Sequence, residues 1–319
     1  DRALEIDPEE VEVRLASGTY YYMGEVDLDR ALEEFRAAER LGGLRDPVYY
    51  WLGRTHRKRG ELDEAIRYMT KHVQYNPLSN GGWRQLAETY MMLHRFAEAE
   101  RCFDRAIALN PSVAVDYQWK GWLYLIWNGD KERARRAIDE QAIVLGLHAP
   151  TGGVDILGRA KYRILREYYE QDVLEGEGYD PMLKGLAFEL VGDVERSRAY
   201  YDSARAIWEP RVAEFPENFP YHFILAFVYA ELGREAEAIR EAETALRLTE
   251  NVFLNRDHVV ANAAEVFLLV GEHERALDLI EIALSNPGSY ITPMELRIDP
   301  VWDPIRDHPR FQALLEEYE

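Results

Sequence analysis

The feature that most restricts the fold of this chain is a repeat of about 34 residues. Alanines that open short apolar helices recur at Ala31, Ala65, Ala99 and Ala134, with Phe35, Met69 and Phe103 four residues after the first three. Pro77 and Pro111 close two successive units. A period of this length means that one supersecondary unit is repeated, and that each unit buries its apolar face only by stacking on its neighbours. Small residues let two antiparallel helices touch, large ones fill the gap between hairpins, and the proline stops the second helix.

The clearest unit reads Trp83, Leu86, Ala87, Tyr90, Ala99, Phe103, Ala106 and Pro111, and the one before it Tyr49, Leu52, Gly53, Gly60, Ala65, Met69 and Pro77. This pattern resembles the tetratricopeptide repeat, with Ala87 in place of the usual glycine and His56 where a tyrosine is preferred. Looser units follow: Gly185, Phe188, Gly192 and Ala204; then Leu225, Ala226, Tyr229, Gly233, Ala238 and Ala245; then Ala264, Phe267, Gly271, Ala276 and Ala283. The resemblance implies an all-α, right-handed superhelical solenoid of about seven helical hairpins with a C-terminal cap.

The expected organisation is an N-terminal lobe over 1–146, a degenerate repeat or spacer over 147–178, a C-terminal lobe over 179–287 and a cap over 288–319. Residues 1–8 read as the end of an earlier, truncated repeat, because Ala3 and Pro8 stand five apart like Ala106 and Pro111. Thr151-Gly152-Gly153 reads as a turn, and Arg159 to Val173 as a helix. The second helix of the Ala204 unit is expected to run on to Pro216. Leu296 to Phe311 breaks the period and leads into a short helix through Leu315, as a segment covering the edge of a stack would. The stretch 180–319 also resembles the tetratricopeptide regions that follow kinase, nucleotide cyclase or winged-helix domains in bacterial signalling proteins. That resemblance implies an interaction or sensory module.

Charge narrows the partners. The formal net charge is −20, with 26 acids and 22 bases in residues 1–160 against 32 and 16 in residues 161–319. So acidic a chain is expected to have no direct affinity for nucleic acid. Apolar runs such as Phe223 to Ala230 are too short for membrane insertion. Cys102 is the single cysteine, so no internal disulfide forms and a cytoplasmic location is expected, or a periplasmic one if the parent protein has an upstream transmembrane segment. The eight histidines lack zinc spacing, no phosphate loop follows any glycine doublet, and Cys102 reads as packing. No enzyme, cofactor or metal site is expected.

In such hairpins the positions i, i+4, i+7 and i+8 of the first helix face the concave side. They give Leu15, Thr19, Tyr22 and Met23 in the first hairpin. The candidate peptide-binding face is then Tyr50, Arg54, Arg57, Lys58, Arg84, Glu88, Met91, Gln118 and Trp122. Arg54, Arg57 and Arg84 are expected to form the main contact, through charge-assisted hydrogen bonds to an acidic or carboxylate-ended peptide. The face partly resembles chaperone-binding tetratricopeptide domains, with Arg54 and Arg84 in place of clamp lysines but without the clamp asparagines. Two other readings are a sensory or self-association module, with a homodimer, and an unrecognised enzyme.

Overall fold

The structure is a computed structural model that describes residues 10–25, 27–145, 160, 163–175, 180–249, 253–286 and 288–318. The proposed closing turn at 1–8 and the turn at 151–153 lie outside the described residues. The chain divides into two compact units, Asp1–Asp116 with Val252–Leu254, and Tyr117–Asn251 with Asn255–Glu319. Every regular element among the described residues is helical.

In the first unit, α1 (Val11–Tyr20) runs into a π turn at Tyr21–Glu25 and pairs with α2 (Leu28–Leu41). The pairs α3 (Arg45–Lys58) with α4 (Leu62–Tyr75), and α5 (Asn80–Met92) with α6 (Phe96–Leu109), follow. Each second helix also packs on the first helix of the next pair, α2 on α3 and α4 on α5, so the hairpins stack. The repeat positions do what their sizes require. A methyl group at Gly18 would meet the Phe35 ring at 2.5 Å, and one at Gly53 would meet Met69 at 2.6 Å. Only a bare backbone lets the two helices of a hairpin approach this closely.

Turns between the two helices of a hairpin share one backbone state, the left-handed one. Gly60 takes φ +79° and Gly192, Gly233 and Gly271 take +79°, +72° and +80°. In the third hairpin the place of Gly60, 34 residues on, is taken by His94 at φ +53°. A side chain in the left-handed region costs about 1–2 kcal/mol. His94→Gly is therefore expected to stabilise the first unit by about 1 kcal/mol, less what the His94–Phe96 ring stack contributes, and a urea denaturation series reads that difference.

The second unit holds α7 (Ala114–Asn128, from Tyr117 onward) with α8 (Lys131–Leu145), α9 (Arg166–Glu175), α10 (Pro181–Leu190) with α11 (Val194–Glu214), α12 (Phe219–Glu231) with α13 (Glu235–Leu248), and α14 (Phe253–Leu269, from Asn255 onward) with α15 (His273–Ser285). The α7–α8 contact repeats the device of the first unit, with Ile138 against Gly121, and Tyr201 fills the same role on Gly185. Among the described residues this makes seven hairpins across the chain, and the architecture is the all-α solenoid that the period implies. Helix α11 runs 21 residues to Glu214, so the extension expected up to Pro216 forms, and Pro210 is accommodated inside it. Part of the helix expected from Arg159 to Val173 is seen as α9.

After α15 the period ends. Thr292 caps α16 (Pro293–Ile298) by accepting from the Glu295 N–H, and Asp299 caps a 3-10 turn at Pro300–Ile305 by accepting from the Val301 N–H. Helix α17 (Pro309–Glu317) follows and packs on α15. Trp302, Ile305, Phe311, Leu314 and Leu315 join one buried cluster with Phe267, Leu277 and Ile280. The segment thus closes the apolar edge of the last hairpin, which is the work of a cap.

Candidate functional site

The first unit brings part of the expected face together on α3. Tyr50, Arg54 and Lys58 lie one turn apart, half-exposed, at the positions i, i+4 and i+8. The Arg54 guanidinium lies 5.3 Å from the centre of the Tyr22 ring, 5.5 Å from Tyr50 and 5.2 Å from Trp51. The Lys58 ammonium sits 4.3 Å from the centre of the same Tyr22 ring. Tyr22 reaches this position from the π turn, and Trp51 is held by stacking on buried Phe35 at 5.8 Å with the planes 10° apart. The cations therefore rest on an aromatic floor that the hairpin packing holds in place.

Neither cation is neutralised by a carboxylate among the described residues. Arg54 Nη1 makes only a long contact, donating to the Tyr50 hydroxyl at 3.5 Å, and its buried Nε–H has no acceptor. Burial, and then the Arg54 charge, hold the Lys58 ammonium below its ordinary range. Two like charges side by side on a dry floor are each destabilised, and an anion placed between them relieves both.

The next hairpin behaves differently. Arg57 is buried, donates Nη1 to Glu88 Oε2 at 2.8 Å and Nη2 to Gln85 Oε1 at 2.5 Å, and also reaches the Gln85 carbonyl. Arg84 pairs with Glu88 at 3.6 Å and with Asp116 at 3.2 Å, and Asn80 donates to the other Asp116 oxygen at 2.6 Å. Burial pushes the Asp116 carboxyl up, against the opposing pull of Asn80 and Arg84. Two arginines and two carboxylates form a closed set. Arg57 and Arg84, expected as main contacts, are thus occupied in tying α3, α5 and the start of α7 together within the first unit.

The remaining positions divide by packing. Met91 is fully buried and Trp122 is 3% exposed, so both are interior rather than on an open face, and Glu88 is buried with its partners. Helices α3 and α5 are each covered by their own second helix and by the second helix of the preceding hairpin, and Arg57 and Met91 at i+7 are buried. Gln118 is half-exposed, but it and Trp122 belong to the second unit. Trp51 was not singled out by the spacing rule, and Tyr22 was reached only as one of four face positions. The available signal was the density of rings in Tyr20 to Tyr22 and Tyr49 to Trp51, beside basic residues one helical turn away.

Cys102 lines a cavity of about 320 Å³ between α4, α5 and α6 with Thr70, Trp83 and Tyr90. Burial pushes its thiol up to about 12, so it stays protonated and weakly nucleophilic. No cluster of three His, Cys, Asp or Glu side chains suited to a metal occurs among the described residues. No helix among them is long and apolar enough to cross a membrane.

Two family models, both described as tetratricopeptide repeat, match residues 1–80 and 81–113. An uncharacterised protein of Methanocaldococcus jannaschii is 31% identical over 65 residues, which is 20% of this chain and 76% of that protein. The chain belongs to one family with it. A solved tetratricopeptide repeat protein from Parabacteroides merdae is 16% identical, with a TM-score of 0.43, covering 97% of this chain and 98% of that one. A MamA fragment from Desulfovibrio magneticus is 19% identical with a TM-score of 0.31, covering 66% and 96%.

Proposed function

We propose that this chain, which carries tetratricopeptide repeats over residues 1–113, is a non-catalytic scaffold that binds a protein or peptide on the concave side of its first unit. The observation that carries the reading is the contrast between neighbouring cations. Arg57 and Arg84 are neutralised internally, whereas Arg54 and Lys58 lie unneutralised on the rings of Tyr22, Tyr50 and Trp51. An extended segment with an acidic side chain or a terminal carboxylate suits that surface, its carboxylate meeting both cations and a neighbouring apolar group lying on the rings. We propose further that the scaffold is the interaction module of a larger cytoplasmic signalling protein, a reading supported by the sequence pattern of residues 180–319.

The test is a selection of peptides from a displayed random library on the whole chain, followed by calorimetric titration of the best binder. Arg54→Ala with Lys58→Ala is expected to weaken binding by about 3 kcal/mol, roughly 150-fold, and raised salt should weaken the native complex as well. Equal affinity of the native and doubly substituted chains removes the claim. Self-association is the second reading, supported by Tyr20 and Met23 at 57% and 68% exposure beside the same seat. A mass that grows with concentration, and that Met23→Glu returns to the monomer value, would place it first.

A further inference from the structure

We propose that the cap of the second unit is latched by a proton on the Glu295 carboxyl, held beside a buried knot of Arg163, Glu265 and Asp299, and that ionising Glu295 loosens the cap. The knot joins three distant stretches of chain. Arg163 donates Nε and Nη2 to the two Asp299 oxygens at 2.8 and 2.7 Å, and Nη1 and Nη2 to the two Glu265 oxygens at 2.7 and 3.1 Å. All three side chains are at most 6% exposed. One guanidinium is thus shared between helix α14 and the residue that links α16 to the 3-10 turn.

Glu295 lies one helical turn before Asp299 and is also buried. Its Oε2 has no hydrogen-bond partner. The groups that face it are Asp299, Arg163, the Trp302 indole and Glu265. Arg306 stands nearby, but its guanidinium donates to the carbonyls of Leu296, Arg297 and Asp299 and to the Asp303 carboxylate. From α7 the segment after α15 receives uncharged contacts: the Thr292 hydroxyl donates to the Ile126 carbonyl, and the Trp119 ring packs on Tyr290. Among the described residues, three buried carboxyls therefore confront one buried guanidinium that two of them already occupy.

A third carboxylate there would have only the Trp302 indole and a share of a guanidinium already bound to two others, so the neutral acid is the stable form. Burial pushes the Asp299 carboxyl up as well, but Arg163 and the Val301 N–H both donate to it and oppose that rise, so of the two neighbouring acids Glu295 holds the proton. Burial, reinforced by the Asp299 charge, pushes Glu295 up to about 8 from an ordinary 4.5. The folded value is raised, so the protonated latch is fully effective below about 4.5. It is lost as pH rises through about 8, at about tenfold in the opening equilibrium per pH unit between those values. The latch therefore weakens progressively from about pH 4.5 and is fully lost by about pH 8.

The experiment uses the whole chain. Infrared spectra at neutral pH should contain the carbonyl band of a protonated, buried carboxyl that is missing from Glu295→Gln. In the native chain that band should titrate near pH 8. Amide-exchange protection of α17, corrected for intrinsic rates, should fall about 100-fold for each two pH units below that point. In Glu295→Gln, whose amide copies the neutral acid in shape, protection should be level over the same range. Should that variant fail to fold, the native band and the native protection must still disappear together. A band that persists in the variant, a native chain with no such band, or equal protection profiles for both chains would overturn the proposal.

Discussion

Arg163→Met is expected to be the most destabilising single change in the second unit, at about 3–5 kcal/mol. Burial works against the Arg163 charge, but Asp299 and Glu265 outweigh it and hold the guanidinium far above its ordinary value. Removing it leaves two carboxylates in a dry interior with four hydrogen bonds unmade. The cost lies in the stranded acids more than in the lost attraction, because a buried ion pair is worth little against a well-packed apolar replacement. Arg163→Met combined with Glu265→Leu and Asp299→Asn should accordingly recover much of the loss. Denaturant unfolding of the three chains measures both effects, and a loss under about 1 kcal/mol for the single change contradicts the assignment.

Phe35→Ala is expected to have a comparable effect in the first unit, about 3–5 kcal/mol, through the cavity that it opens. Phe35 is fully buried, presses on Gly18 of its own hairpin and stacks on Trp51 of the next. One ring therefore joins two repeats, and Trp51 is also the floor beneath Arg54. The substitution should weaken peptide binding even where the chain is still folded, since the ring under the cation loses its support. Phe35→Leu, which keeps most of the volume, should lose markedly less of both. Stability unchanged by the alanine would mean that the stacking of hairpins does not rest on this contact.

The hairpins were legible because their determinants are local and periodic. Gly53 opposite Met69, Gly60 in a left-handed turn and Ala31, Ala65 and Ala99 at helix contacts all recur at one spacing, and the physical demand at each is the same in every unit. The long helix ending at Glu214 and the cap from Pro293 to Glu317 were legible for the complementary reason, as places where the period stretches or stops.

The state of each cation was much less legible. Arg54 and Arg57 are three residues apart and look alike in sequence, yet Arg57 is neutralised by Glu88, 31 residues on, and Arg54 is not. In a repeat protein the contacts of one helix lie about one period away, so the 31 and 32 residue separations of Arg57–Glu88 and Arg84–Asp116 could have been sought deliberately. The Arg163 knot could not, because its partners lie 102 and 136 residues away, several repeats beyond the neighbouring one. Met91 and Trp122 show a further limit. A helix that is apolar on two sides does not reveal which side its neighbours cover.

The measurement that tests the central claim most directly is the titration of one library-selected peptide against four chains: native, Arg54→Glu with Lys58→Glu, Arg101→Glu with Arg105→Glu, and Trp51→Leu. The account predicts that reversing Arg54 and Lys58 abolishes measurable binding, that reversing the exposed pair on α6 leaves affinity within about threefold of native, and that Trp51→Leu falls between them. Equal weakening by both charge reversals would show that overall charge, and not the seat formed by Tyr22, Trp51, Arg54 and Lys58, holds the partner.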